Sequence, residues 1–176
     1  ITPVPPTSTP VPPTATPDPY AGWTSYSNSA YGFNFKVPPG SSNATPIEGL
    51  VRFTLPIVPN TLLVEKYVEA KVVEGASACN SGTNAPTSET VTINGISFFK
   101  EIAQEGAAGS LYDWVSYSAF APGTTNCVTM MFVLHSHNAG VFATSPPPFD
   151  KNAESAVFGQ IMSAFTWSAG FTNFGQ

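Results

Sequence analysis

Apolar and polar residues alternate along much of the chain after Trp23, in short stretches separated by Gly, Pro and Asn. The stretch YGFNFKVP at residues 31–38 has an apolar side chain at every second position, which is the period of a half-buried strand. LVRFTLP at residues 50–56 follows the same pattern. We therefore predict two strands here, and the apolar face of the first consists of Tyr31, Phe33, Phe35 and Val37.

A longer stretch, LLVEKYVEAKVVEG at residues 62–75, also alternates, and its β-branched residues favour a strand over a helix. Further strands are predicted within residues 89–103, 110–120 and 127–137. Within the first of these ranges, Asn94 and Gly95 mark a tight hairpin turn. EGAAGS at residues 105–110 predicts a loop between two strands. The predicted apolar face of the 62–75 strand consists of Leu62, Val64, Val68, Ala70 and Val72, opposite Glu65, Glu69 and Lys71.

The period changes near the C-terminus, in FDKNAESAVFGQIMSAFTW at residues 149–167. Apolar residues here recur every three or four positions, which is typical of an amphipathic helix, and Asp150 is the predicted N-cap. A run of strands closed by one helix predicts an α+β fold, with the helix covering one face of a mostly antiparallel sheet. The predicted buried stripe of the helix consists of Ala153, Val157, Ile161 and Phe165, supported by Phe158 and Met162.

The N-terminal residues 1–19 have a different composition, with eight prolines and five threonines. Proline excludes both a helix and a central strand, so polyproline II is the expected conformation. The motif Pro-Val-Pro-Pro-Thr-x-Thr begins at Pro3 and is repeated from Pro10. We therefore divide the chain into a Pro/Thr-rich extended segment at residues 1–19, a stalk or assembly arm, and a single α+β domain at residues 20–176.

Charged residues make up only 10% of the chain, and the net charge is −5. A chain with so few Lys and Arg lacks the positive surface that nucleic acid requires, so nucleic acid is excluded as a partner. No apolar run approaches the ~20 residues of a membrane-spanning helix, and we predict no transmembrane segment. A surface covered by Ser, Thr and Asn is typical of an exported protein, located outside the cell or on its surface.

The chain contains two cysteines, Cys79 in a Ser/Gly/Asn loop and Cys127 at the start of an apolar strand. Their spacing does not match a metal site, so a disulfide in an oxidising compartment is the favoured interpretation. Two unpaired buried thiols are the alternative. Asn43 begins a formal N-glycosylation sequon, NAT. The threonines between the prolines are typical of O-glycosylated stalks, and the candidate sites are Thr7, Thr9, Thr14 and Thr16.

Two stretches carry a resemblance to a known fold: WTSYSNSAYGFNFKVPPG at residues 23–40 and VFGQIMSAFTW at residues 157–167. They resemble the opening and ending of bacterial secreted or lipoprotein domains of the PsbP/Mog1-like fold. The resemblance implies an antiparallel sheet flanked by helices. The sequence departs from that pattern because Gly40 and Ser41 follow the Pro turn, where a Trp is common. Members of the fold include accessory and assembly proteins, so the resemblance implies no reaction and no site residues.

No catalytic motif stands out. A Gly-x-Ser-x-Gly nucleophile elbow is absent from the sequence, and EGAAGS lacks the Lys of a phosphate loop. His135 and His137 would share one face of a strand but lack a third metal ligand by spacing. We therefore expect no metal, no cofactor and no enzyme activity. A glycoside hydrolase would need two facing carboxylates, for which the candidates are Glu101, Glu105 and Asp113.

Aromatic residues offer another kind of surface, a platform for a sugar or polymer. On strands, however, alternate aromatic residues more often face a core or a cross-strand neighbour. The residues concerned are Trp23, Tyr26, Tyr31, Tyr112, Trp114 and Tyr117.

Two functional hypotheses remain. The first is a non-enzymatic extracellular or cell-surface structural protein that assembles with other copies of itself as an oligomer or filament. The second is a surface-anchored accessory domain that binds a ligand, such as a glycan or a cell-surface polymer, and uses the proline-rich segment as a passive stalk. In the first, the predicted assembly contacts are Pro3, Val4, Pro5, Pro6, Pro10, Val11, Pro12 and Pro13.

Overall fold

A computed structural model of the chain describes residues 17–43, 46–47, 49–83 and 85–168. Within these residues, strands alternate with short connections until one α-helix near the end, which begins after the predicted N-cap Asp150. A short 3₁₀ helix, Ala139–Val141, precedes it. The elements are β1 Thr24–Asn28, β2 Phe33–Val37, β3 Ser42–Asn43, β4 Leu50–Thr54, β5 Leu63–Val73, β6 Thr87–Ile93, β7 Ile96–Ala107, β8 Ser110–Phe120, β9 Cys127–His137, α1 Lys151–Ser163 and β10 Thr166–Trp167.

Seven of the strands form one antiparallel sheet in the order β3-β4-β5-β9-β8-β7-β6. The remaining three strands form a small sheet in the order β1-β2-β10, also antiparallel. The strands β1, β3 and β10 and the division into two sheets were not predicted from the sequence. The α+β class was predicted, and the structure confirms it.

Helix α1 and the small sheet lie on the same face of the seven-stranded sheet, which we call the covered face. Alternate residues of β5 and β9 point into this layer, and they are opposed by Phe33 and Phe35 of β2. The ring of Phe158 in α1 stacks on Phe132 at 4.6 Å. The core side chains that β5 and β9 contribute are Val68, Ala70, Val128, Met130, Phe132 and Leu134.

The buried stripe of α1 differs from the predicted one. Ala153 is exposed, and the buried residues of the helix are Glu154, Phe158, Ile161 and Met162. Phe165 is fully buried, as predicted, but it lies beyond the end of the helix. The prediction of Ala153 as a core residue was wrong because Glu154 turns inward to meet a buried cation.

That cation is Lys66 of β5, which forms a buried ion pair with Glu154. A carboxylate oxygen of Glu154 also accepts a hydrogen bond from the backbone N–H of Val58. The β5 ladder shifts register between Leu63 and Glu65, so Leu63 is buried and Val64 is exposed. The predicted apolar face of this strand was therefore wrong at Val64.

The predicted hairpin turn is present between β6 and β7, where Ile93 pairs with Ile96. Asn94 and Gly95 both have positive φ, 52° and 76°, as a two-residue turn of this kind requires. The amide of Asn94 also donates hydrogen bonds to the carbonyls of Ser163 and Phe165. This turn therefore connects the outer hairpin of the large sheet to the end of α1.

Candidate functional site: the open face of the large sheet

The other face of the seven-stranded sheet, which we call the open face, is not covered by α1 or by the small sheet. Side chains alternate between the two faces along each strand, so this face carries the residues between the core positions. On β9 these are Thr129, Met131, Val133, His135 and His137, together with Cys127. The open face is where aromatic, charged and hydroxyl side chains gather.

A loop between β5 and β6 lies against one end of the open face. Cys79 of this loop forms a disulfide with Cys127 of β9, which confirms the predicted pairing. Glu101 of β7 provides a second attachment, because its carboxylate accepts a hydrogen bond from the backbone N–H of Ser81 at 2.6 Å. The disulfide indicates a non-cytoplasmic, oxidising compartment.

A groove of about 370 Å³ lies between this loop and the outer strands β6 to β8. Two phenylalanines lie beside it with their rings partly in solvent, Phe99 at 37% exposure and Phe120 at 43%. They are diagonal neighbours, because Phe99 pairs with Ser118, two residues before Phe120. Of the described residues that line this disulfide groove, none is charged; they are Ala78, Cys79, Asn80, Thr90, Ser97, Phe99, Ser118, Ala119 and Phe120.

The opposite end of the open face carries charges and aromatic rings, which we call the charged aromatic cluster: Arg52, Glu65, Tyr67, Glu69, Tyr112 and His135. The guanidinium of Arg52 lies 3.9 Å from the ring centre of Tyr67. It is also 2.6 Å from a carboxylate oxygen of Glu69. The rings of Tyr112 and His135 stack at 4.4 Å.

Burial and charge change two pKa values in this cluster. Burial raises the pKa of Tyr67 above its usual 10.0, although the nearby Arg52 charge opposes this. For Arg52, burial lowers the pKa, but the hydrogen bond and the charge of Glu69 outweigh it, so the pKa of Arg52 is raised. Arg52 remains a cation and Tyr67 a neutral hydroxyl at physiological pH.

The structure separates the three candidate carboxylates. Glu101 is buried and anchors the β5–β6 loop, whereas Glu105 is exposed farther along β7. Asp113 lies on the covered face, where it accepts hydrogen bonds from Gln104 and Lys151. The pairing that a glycoside hydrolase needs is therefore not formed by these residues.

Both histidines contact neighbouring side chains. The Nε2 atom of His135 lies 3.1 Å from the hydroxyl of Ser110, and the ring of His137 packs edge-on against Phe142 at 5.4 Å. Among the described residues, no three His, Cys, Asp or Glu side chains form a group that could hold a metal ion.

The predicted aromatic platform is split among three places. Tyr112 and Trp114 lie on the open face, where Trp114 is 7% exposed. Tyr117 lies on the covered face against Phe158. The other three belong to the small sheet and its surroundings. Tyr26 packs on Phe35 and Phe53. Tyr31 donates a hydrogen bond to Glu74, and the ring of Trp23 packs edge-on against Tyr20. Sequence reasoning missed Tyr67, Phe99 and Phe120, whose exposure depends on strand pairing.

Most of the predicted modification and assembly residues lie outside the described part of the chain. Asn43 is exposed in β3, whereas residues 44–45 of its sequon are not described. The remaining ones fall in residues 1–16, also outside the described residues: Pro3, Val4, Pro5, Pro6, Thr7, Thr9, Pro10, Val11, Pro12, Pro13, Thr14 and Thr16. In the described ranges, no helix is both long and apolar enough to cross a membrane.

Comparisons with known proteins give information on the fold. No protein-family model matches the chain, and no curated protein matches it. Several solved structures are similar, and two of them show the likeness. One is the cyanobacterial PsbP (CyanoP) from Synechocystis, with a TM-score of 0.53 and 13% identity over 89% of this chain and 98% of that one.

The other is a protein from Bacteroides thetaiotaomicron, with a TM-score of 0.52 and 10% identity over 85% of this chain. This chain spans 50% of the length of that protein. At such low identity the likeness concerns the fold alone. The chain has a PsbP-like α+β fold, as the resemblance of its two end stretches implied.

Proposed function

We propose that this chain is a non-enzymatic interaction protein of the cell surface or extracellular space, which assembles with other copies of itself. In this proposal the proline-rich segment of one copy docks in the disulfide groove of the next. The observation that supports it is the groove itself, an uncharged concave surface with two partly exposed phenylalanine rings.

The chemistry of the segment complements the chemistry of the groove. Residues 1–17 contain no charged side chain, and none of the described residues that line the groove is charged, so docking against them would bury no unpaired side-chain charge. Polyproline II segments characteristically dock on aromatic-lined grooves, because their preformed backbone loses little conformational entropy on binding. Val4 and Val11 supply apolar side chains at equivalent positions of the repeat.

The position where the segment joins the domain favours a neighbouring copy over the same one. The hydroxyl of Tyr20 donates a hydrogen bond to the carbonyl of Gln160 in α1, on the covered side of the large sheet. The groove is on the opposite, open face. Residues 1–16 would extend roughly 50 Å at ~3.1 Å per residue, a length that reaches a neighbour without folding back around the sheet.

A second candidate function is the surface-anchored accessory domain with a passive proline-rich stalk. The charged aromatic cluster favours it, because aromatic rings beside carboxylates and a guanidinium can contact a glycan or a cell-surface polymer. The two functions differ in one respect: only the first requires the proline-rich segment for association.

The test compares the full chain with residues 20–176 by light scattering and electron microscopy. We expect the full chain to form oligomers or filaments and the truncated chain to remain a folded monomer. A Phe99→Ser/Phe120→Ser variant of the full chain should also remain monomeric, whereas Phe142→Ser, which changes an exposed phenylalanine outside the groove, should assemble normally. If full and truncated chains are both monomeric, or assemble alike, the accessory-domain function replaces the assembly function.

A further inference from the structure

A second concave site lies on the covered side of the large sheet, beneath the first turn of α1. This α1 cleft has a volume of about 150 Å³. It lies on the opposite side of the sheet from the disulfide groove, between α1 and the covered face of β7 to β9. Its lining residues include Ile102, Asp113, Val115, Phe132, Leu134, Lys151 and Ser155.

The floor of the cleft is apolar. Phe132 and Leu134 are almost fully buried core residues, and Val115 packs beside them. Ile102 stands at the rim with 41% of its surface exposed. Apolar cavities of about this volume, lined by Leu, Ile and Phe side chains, take up a molecule the size of benzene. The cleft therefore fits one ring or a short branched chain.

Among the described residues that line the cleft, Asp113 supplies the one carboxylate. The side chain of Asp113 is only 14% exposed, and its Oδ1 atom accepts hydrogen bonds from Gln104 at 2.7 Å and from Lys151 at 2.5 Å. Asp113 pairs with Leu134 on β9, and Leu134 pairs with Lys66 on β5. Because Lys66 is already paired with Glu154, the neighbouring positive charge is neutralised.

Lys151 is the part of this arrangement that can move. Its side chain is 56% exposed, so its ion pair with Asp113 competes with hydration and is weak. An ammonium group of a ligand could take the place of the Lys151 Nζ atom beside Asp113, while Lys151 turned into solvent. The carboxylate would keep a cationic donor throughout the exchange.

We infer that the α1 cleft is a binding site for a small amphiphilic amine. Its apolar group lies on Val115, Phe132 and Leu134, and its ammonium donates a hydrogen bond to Asp113 in place of Lys151. The position of the carboxylate selects against anions and favours an amine over a neutral molecule of the same shape. This site is separate from the proposed assembly site, and the two proposals are independent of each other.

The experiment uses two probes of matched shape, benzylamine and benzyl alcohol, titrated into the full chain and followed by amide chemical shifts in NMR. We expect saturable shifts around residues 113–115, 132–134 and 151–155 with both probes. Benzylamine, protonated at neutral pH, should bind about fivefold to tenfold more tightly, because its ammonium pairs with Asp113 inside the cleft while the displaced Lys151, whose exposed ion pair is weak, regains its hydration.

Three variants complete the test. Asp113→Asn keeps the shape but removes the charge, and it should abolish the difference between the probes. Ser155→Leu fills the mouth of the cleft from the helix and should abolish both titrations. Glu89→Gln is the matched control, since Glu89 also forms an exposed ion pair, with Lys100, but lines none of the cleft. It should change neither titration.

Three outcomes would overturn the inference. The first is that neither probe gives saturable shifts at the cleft. The second is that the two probes bind equally well. The third is a preference for benzylamine that survives Asp113→Asn, which would place the ammonium at another carboxylate.

Discussion

The covered face of the seven-stranded sheet carries Val68 and Phe132 at one paired position, whereas the next pair along the same two strands, Glu69 and Met131, lies on the open face. The covered position is fully buried beneath the Phe158 ring, and the open position is only partly buried. Two neighbouring pairs on the same strands therefore have different surroundings. The burial of a strand residue is therefore decided by the face of the sheet to which its side chain points, and not by its strand pairing.

The two faces are also stabilised in different ways. The covered face depends on close packing of apolar side chains over a large area, with one buried ion pair between Lys66 and Glu154. The loop on the open face depends on a few specific bonds, chiefly the disulfide and the hydrogen bond to Glu101. This difference leaves grooves and rings on the open face accessible to a partner.

The largest expected effect is on the covered face. Phe132→Ala should lower the free energy of unfolding by about 3 to 5 kcal/mol, because it removes a buried ring and leaves a cavity beside Phe158. The neighbouring change Met131→Ala on the open face should cost about 1 kcal/mol. Urea unfolding measures both. Equal losses would show that the two faces are packed alike.

The next effect concerns the disulfide. The Cys79→Ser/Cys127→Ser variant should lose about 3 to 4 kcal/mol of stability, because the bond closes a loop with a sequence separation of 48 residues. The domain should still fold, since the covered face is unchanged. Unfolding curves under reducing and oxidising conditions give the measurement. A loss below about 1 kcal/mol would mean that the loop is held by its other contacts.

A smaller effect is expected at the second attachment of the loop. Glu101→Gln weakens a charge-assisted hydrogen bond from the Ser81 N–H and should cost about 1 to 2 kcal/mol. The amides of residues 76–83 should exchange faster with solvent. Glu105→Gln, at an exposed position on the same strand, should stay within about 0.5 kcal/mol of the parent. Unchanged exchange in the Glu101 variant would argue against this anchor.

The smallest expected effect is on the ionisation of tyrosine, compared between one tyrosine from each face. Burial raises the pKa of both Tyr67 and Tyr117 above 10.0, so the folded state holds these protons longer than the unfolded chain does. Their contribution to stability is present below pH ~10 and is lost as the pH rises through the folded-state pKa values. Ultraviolet absorption at alkaline pH follows the titration. Tyr67→Phe and Tyr117→Phe should each remove part of the late transition; ionisation of all tyrosines near 10 would contradict the burial.

Much of the fold could be predicted because its signals are local. The Asn94-Gly95 turn, the alternation in β2 and the cap at Asp150 each depend on neighbours within a few residues. The Asp150 carboxylate does accept hydrogen bonds from the N–H groups of Asn152 and Ala153. The disulfide was predictable for another reason, since the chain has two cysteines.

The candidate sites could be predicted less well because they depend on partners far apart in the sequence. Phe99 and Phe120 become neighbours only through the β7–β8 register, and the groove beside them requires the loop held by Cys79. Glu154 and Lys66 are 88 residues apart. Because they pair, Glu154 is buried in the first helical turn, and Ala153, which was predicted to be buried, is exposed.

The sequence by itself determined most of the strands, the helix, the turn at Asn94 and the α+β class, since backbone sterics and side-chain period act over short distances. Only the tertiary structure decided which face of the large sheet was covered. That choice depends on where α1 and the small sheet find complementary surfaces, such as Phe158 on Phe132. It left Tyr67, Phe99 and Phe120 on the open face and formed the α1 cleft beside Asp113.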